Sequence, residues 1–184
     1  MAQRNSGYDR KHRDYYPTPP EATRAVIPYI HQRVNTVLEP ASGPENKMAK
    51  VLADRFTVIS EDIIHGLDFL KRKDAKHIDA IITNPPYERI LCQEFIEHAL
   101  KLMEEQNGIV AMLLRVDYDS AKTRQHLFHY HSAWFKKIVL TERIVWFREP
   151  NGKPKKSPSE NHAWYIWDWQ NRGLPTIGYT DLID

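Results

Sequence analysis

The chain has 184 residues, 41% of them apolar and 27% charged, a balance that excludes a long disordered or fibrous chain and indicates a folded domain. Its 26 basic and 24 acidic side chains leave a net charge of +2, too even for bulk charge to announce a polyanionic partner. The single cysteine, Cys92, excludes an internal disulfide and a cysteine-based zinc site, and the longest strongly apolar run, Ile109 to Leu114, is far too short to cross a bilayer.

Residues 1–15 read as a basic N-terminal arm, with Arg4, Arg10, Lys11 and Arg13, and residues 16–184 as one domain. The arm has no apolar stretch of the signal-peptide kind, so a reducing, cytoplasmic setting is expected. Tyr16-Pro17-Thr18-Pro19-Pro20 is extended, because a residue before proline is pushed out of the α region. Pro20 then suits the first turn of a helix to about His31, with Ala22, Val26, Ile27 and Ile30 on one face. Thr36-Val37-Leu38 reads as a short strand ending at Glu39-Pro40-Ala41-Ser42-Gly43-Pro44, and Met48, Val51, Leu52 and Phe56 have helical spacing. Thr57 to Ser60 is a second strand, ending in Glu61-Asp62. Ile78 to Thr83 is a third, apolar enough for burial on both faces, and it runs into Asn84-Pro85-Pro86-Tyr87. An amphipathic helix follows, with Leu91, Phe95, Ala99, Leu102 and Met103 inward, and Asn107-Gly108 stops it. Ile109 to Leu114 is a fourth strand. Beyond it, Lys137 to Leu140, Ile144 to Phe147 and Ala163 to Trp169 read as strands, the last two as an antiparallel hairpin at one edge, joined by the loop 148–161. Strands alternating with helices predict an α/β fold with a doubly wound, mostly parallel sheet and an antiparallel terminal hairpin.

Asn84-Pro85-Pro86-Tyr87 carries the sharpest chemistry. In open α/β sheets ligands bind at the carboxyl ends of strands. The two prolines remove backbone donors and stiffen the turn, so the Asn84 side-chain oxygen and the Pro85 carbonyl stand as converging acceptors. Tyr87 adds a flat surface with a polar tip. Such a site suits a planar group bearing NH2. Two acceptors pulling on its hydrogens favour a pyramidal nitrogen with a localised lone pair, which stabilises the transition state of its attack.

Asp79-Ala80-Ile81-Ile82-Thr83-Asn84-Pro85-Pro86-Tyr87 resembles the catalytic motif of S-adenosylmethionine-dependent N6-adenine DNA methyltransferases. Val37-Leu38-Glu39-Pro40-Ala41-Ser42-Gly43 resembles that family's cofactor loop, Asp62 its ribose-binding acid, and Gly66-Leu67-Asp68-Phe69-Leu70 the segment that receives the cofactor adenine. Tyr16-Pro17-Thr18-Pro19 resembles the segment at the methionine end. The likeness covers roughly residues 14–115 and implies a Rossmann-like methyltransferase fold. It assigns catalysis to Asn84, Pro85, Pro86 and Tyr87, and cofactor binding to Tyr16, Pro17, Thr18, Glu39, Pro40, Ser42, Gly43, Asp62, Asp68, Phe69 and Asn84. Glu61, beside Asp62, is a rival for the ribose. The family's second loop glycine is absent; Pro44 stands ready to open the next helix, with Glu45 near its N-terminus.

The resemblance implies DNA as partner, with the target adenine rotated out of the duplex and stacked on Tyr87. Arg10, Lys11, Arg13, Lys153, Lys155 and Lys156 are the candidate backbone contacts. Of Trp146, Trp164, Trp167 and Trp169, some belong to the core and one wedging into DNA is the lesser alternative. No dedicated recognition segment stands out, so a short site or a separate specificity partner is expected. Methylation of RNA or of a protein glutamine amide is the alternative for the same turn, and a degenerate binding protein is the third reading. No metal is expected: His126, His129 and His131 lack the i, i+4 spacing of a helical ligand pair and read as a solvated or packed cluster.

Overall fold

The computed structural model describes residues 16–154 and 159–183. Arg10, Lys11, Arg13, Lys155 and Lys156 therefore lie outside the described residues. Seven strands form one sheet: β1 (Thr36–Glu39), β2 (Thr57–Ser60), β3 (Ala80–Thr83), β4 (Ile109–Arg115), β5 (Trp134–Leu140), β6 (His162–Asp168) and β7 (Thr176–Thr180). Their order is β2-β1-β3-β4-β6-β5-β7. Only β6 runs against its neighbours, pairing antiparallel with β4 and β5, while β7 pairs parallel with β5.

The central strands β3, β4 and β6 are buried on both faces, as their nearly continuous apolar runs require. Val110, Met112 and Leu114 of β4 join Tyr165 and Trp167 of β6 under α3 (Arg89–Gln106). Ala111, Leu113, Trp164 and Ile166 pack on the other face, under α1 (Pro20–Arg24) and α2 (Lys47–Leu52). Trp164 donates from Nε1 to the Ala22 carbonyl at 2.9 Å, so both Trp164 and Trp167 are core residues with satisfied donors. Asn107 ends α3 in the left-handed region at φ 50°. A Cβ on Gly108 would stand 2.8 Å from the Asp79 carbonyl, so the helix-to-strand turn has no room for a side chain.

Four expectations are corrected. The first helix stops at Arg24 and gives way to a 3-10 turn at Ile27–Tyr29. Pro28 is the reason, since its ring clashes with the carbonyl four residues back and it has no N–H to give. Pro44 does not open a helix; α2 starts at Lys47, after Asn46 at φ 51°. Residues 144–147 form no strand. The antiparallel hairpin partner of β6 is β5, and β6 lies inside the sheet, because all seven of its residues are buried and an edge would expose half of them. The edge belongs to β7, a strand not foreseen, with Ile177 and Tyr179 exposed. Among the described residues, no helix is long and apolar enough to cross a membrane.

Candidate active site

Strand order reverses between β1 and β3, and the carboxyl ends of the parallel strands open there onto a cavity of about 1320 Å³. Its wall combines four loops. After β1 come Pro40, Ala41, Ser42, Gly43 and Pro44; after β2, Asp62, Ile63, Ile64, Leu67, Asp68 and Phe69; after β3, Asn84, Pro85, Pro86 and Tyr87; and Tyr16, Pro17 and Thr18 close one side. Every catalytic and cofactor candidate named from the sequence thus lies on one cavity wall. Arg115, at the end of β4, Lys47 and Arg89 also line the cavity and were not singled out, although the strand-end position of Arg115 is a signal that sequence reading can use.

The loop after β1 is tied to the end of β2. Gly43, at φ 64°, donates its N–H to Asp62 Oδ2 at 2.8 Å, and Ile64 N–H donates to Oδ1 at 2.9 Å. Asp62 keeps further acceptor capacity, since a carboxylate has about four lone-pair sites. Its rival Glu61 turns away, into an ion pair with Arg72. Glu45 does not line the cavity; it pairs with Lys47 at 2.9 Å. Asp68 Oδ1 caps Leu70 N–H at 3.2 Å, and Phe69 is buried against Phe95 and His98.

Glu39 ends β1 and is 2% exposed. Its Oε1 accepts from the Thr83 hydroxyl at 2.6 Å and from Ala41 N–H at 3.2 Å. Burial raises its pKa to about 7, those two hydrogen bonds oppose the rise, and the Asp62 charge adds to it. Ser42 Oγ, also buried on this wall, has no hydrogen-bond partner among the described residues.

Asn84 is held by its nitrogen. Nδ2 donates to the Tyr16 carbonyl at 3.2 Å, and Oδ1 is buried without a partner among the described residues. An unpaired buried acceptor costs about 1–3 kcal/mol. Tyr87 donates to the Leu113 carbonyl at 3.4 Å, and burial pushes its phenol well above the ordinary value. Its ring meets Tyr16 at 6.0 Å, Trp146 at 6.2 Å and His162 at 6.1 Å, all edge-on. Burial pulls the His162 pKa down to about 4, so this ring is neutral. Trp146, read from the sequence as part of a strand, is instead a wall of this aromatic cluster.

Two solved structures share this fold. A protein of Listeria monocytogenes, described as a class I S-adenosylmethionine-dependent methyltransferase, superimposes with a TM-score of 0.60 over 90% of this chain and 65% of its own, at 14% identity. The fold is a Rossmann-like methyltransferase fold. The methyltransferase subunit of a type I restriction-modification system from Streptococcus thermophilus has the same architecture, with a TM-score of 0.53 over 88% of this chain and 45% of its own, again at 14% identity. This chain therefore spans less than two thirds of either protein with the methyltransferase fold. No protein-family model matches the sequence, and no curated protein does.

The remaining candidates lie elsewhere. His126 Nε2 meets Glu97 Oε1 at 2.9 Å, and the His131 ring packs on Trp169. Among the described residues, no group of three or more His, Cys, Asp or Glu is placed to hold a metal. Burial raises the Cys92 thiol to about 11, which makes it a poor nucleophile. Asp79 lies at the opposite end of β3 from the cavity, where Oδ2 accepts from Asn35 and Thr36 N–H, both at 2.8 Å. Lys153 is exposed on the turn after Arg148, whose guanidinium is engaged by Glu21.

Proposed function

We propose that the protein transfers a methyl group from S-adenosylmethionine to the N6 amine of adenine in DNA. The observation that carries this reading is the Asn84 carboxamide, anchored by its nitrogen and presenting an unpartnered buried oxygen, on the same cavity wall as Gly43 and Asp62.

The residues fit the cofactor. Asp62 would take the ribose hydroxyls, Phe69 and Ile63 the adenine face, and Asp68 its amine. Glu39 and the unpartnered Ser42 hydroxyl suit the cationic and polar methionine end beside Pro17 and Thr18. When bound, S-adenosylmethionine supplies an electrophilic methyl carbon. Asn84 Oδ1 and the Pro85 carbonyl would accept the two hydrogens of the adenine amine and concentrate its lone pair on nitrogen; as the nitrogen–carbon bond forms, the carbon–sulfur bond breaks with its electrons passing to sulfur, and the nitrogen gives up one proton. Tyr87 holds the base plane, and Trp146 and Tyr16 hold Tyr87. The chain's contribution is alignment and electrostatics.

Lys153, with Arg10, Lys11, Arg13, Lys155 and Lys156, would contact the DNA backbone, in a cytoplasmic setting. The Streptococcus protein is named as a subunit, which favours a separate specificity partner here too. The test is transfer of labelled methyl to DNA, RNA and protein acceptors, followed by identification of the modified group. N6-methyladenine from DNA is expected. Label confined to RNA or to glutamine overturns the acceptor assignment, and no cofactor binding by calorimetry favours a degenerate binding protein.

A further inference from the structure

A carboxamide is two-sided: one end donates, the other accepts, and a half-turn exchanges them with little change in shape. Gripping an amine requires the oxygen to face it. The group that decides this comes from a distant part of the chain. Asn84 Nδ2 donates to the Tyr16 carbonyl, leaving Oδ1 as the free end. Turned over, the amide would set oxygen against oxygen at Tyr16 and aim its N–H groups at the acceptor.

Tyr16 is well placed to hold that carbonyl still. Because it precedes Pro17, its backbone is confined to extended conformations. Its ring meets Tyr87 at 6.0 Å, Trp146 at 5.6 Å and Phe147 at 5.8 Å, three rings from two other segments.

We infer that Tyr16 is a positioning and specificity residue, whose carbonyl locks Asn84 as an acceptor so that the cavity takes a ring amine and rejects a ring carbonyl at the same place. This rests on the amine-acceptor reading above. It names a discrimination that Asn84 alone does not supply: adenine over hypoxanthine, which carries oxygen where adenine carries the amine.

Tyr16→Phe keeps the ring; Tyr16→Ala removes it and frees the carbonyl. Two readouts are made on the full chain. The first is hydrogen exchange of the Asn84 side-chain amide by NMR, its signal identified by loss in Asn84→Asp. Exchange about tenfold faster in Tyr16→Ala, with Tyr16→Phe like the wild type, is expected from loss of one hydrogen bond. The second is binding, with S-adenosylhomocysteine present, of single-stranded thymidine oligonucleotides carrying one adenine or one hypoxanthine. The wild type and Tyr16→Phe should prefer adenine by about tenfold, and Tyr16→Ala should bring the ratio toward one. An adenine preference that survives in Tyr16→Ala, or an amide exchanging as fast in the wild type as in that variant, overturns the inference. Slow exchange in the wild type with no preference for adenine refutes the amine-acceptor reading, and the specificity claim with it, while the exchange data still judge the Tyr16–Asn84 anchor by itself.

Discussion

The backbone N–H of Gly43 and the carboxylate of Asp62 are joined by a 2.8 Å hydrogen bond that ties the loop after β1 to the end of β2. Asp62→Ala removes that bond and the one from Ile64. A stability loss of about 2 kcal/mol is expected in urea unfolding, since both bonds end on a charged acceptor. Gly43→Ala should cost about 1 kcal/mol through its left-handed φ of 64°. Calorimetry should show weaker S-adenosylmethionine binding in both variants; unchanged affinity would remove this loop from the cofactor site.

Asn84→Ala should lower methyl transfer by about 10²–10³-fold, the cost of losing one preorganised charge-stabilising group. Cofactor binding should remain measurable, because the Asn84 oxygen acts chiefly on the acceptor amine while Gly43, Asp62 and Asp68 still line the cavity. Turnover near that of the wild type would end the amine-polarisation assignment.

Glu39 gives the protein a pH dependence with a definite sign. Its pKa in the fold is about 7, against 4.5 when unperturbed, so between those values the native state binds more protons than the unfolded one. Stability should therefore fall as pH rises through that window. Cofactor affinity should move the opposite way, rising from pH 6 to 8 as Glu39 ionises to meet a cation. Glu39→Gln should flatten both profiles; profiles that persist in that variant would assign them to another group.

Asp79→Ala should act on the fold alone. Loss of the Asn35 and Thr36 contacts predicts about 2 kcal/mol of destabilisation and a Tm lower by about 4–8 °C. Turnover per folded molecule at 25 °C should match the wild type, since Asp79 is at the far end of β3 from the cavity.

Much of this molecule is readable from local pattern. The apolar runs at 36–39, 80–83 and 109–115 specify buried strands wherever they fold, and the prolines of Asn84-Pro85-Pro86-Tyr87 stiffen a strand-end turn by covalent geometry. The break of the first helix at Pro28 was equally local and open to reading. Other features are decided by partners distant in the chain. Ile144 to Phe147 has the residues of a strand, but Trp146 buries its surface against Tyr16 and Tyr87 instead of in the sheet. The pattern of Thr176 to Thr180 is weak, with Gly178 at its centre, and only the free edge of β5 makes it a strand. Glu61 and Asp62 are equivalent acids in sequence, and Arg72 takes one while Gly43 takes the other. Which end of the Asn84 amide is left without a partner depends on the Tyr16 carbonyl, which takes the nitrogen. Short-range sterics and hydrophobic periodicity thus determine the elements and the turn, whereas side-chain direction and hydrogen-bond polarity are settled only when remote segments meet, because each local pattern is compatible with more than one set of neighbours.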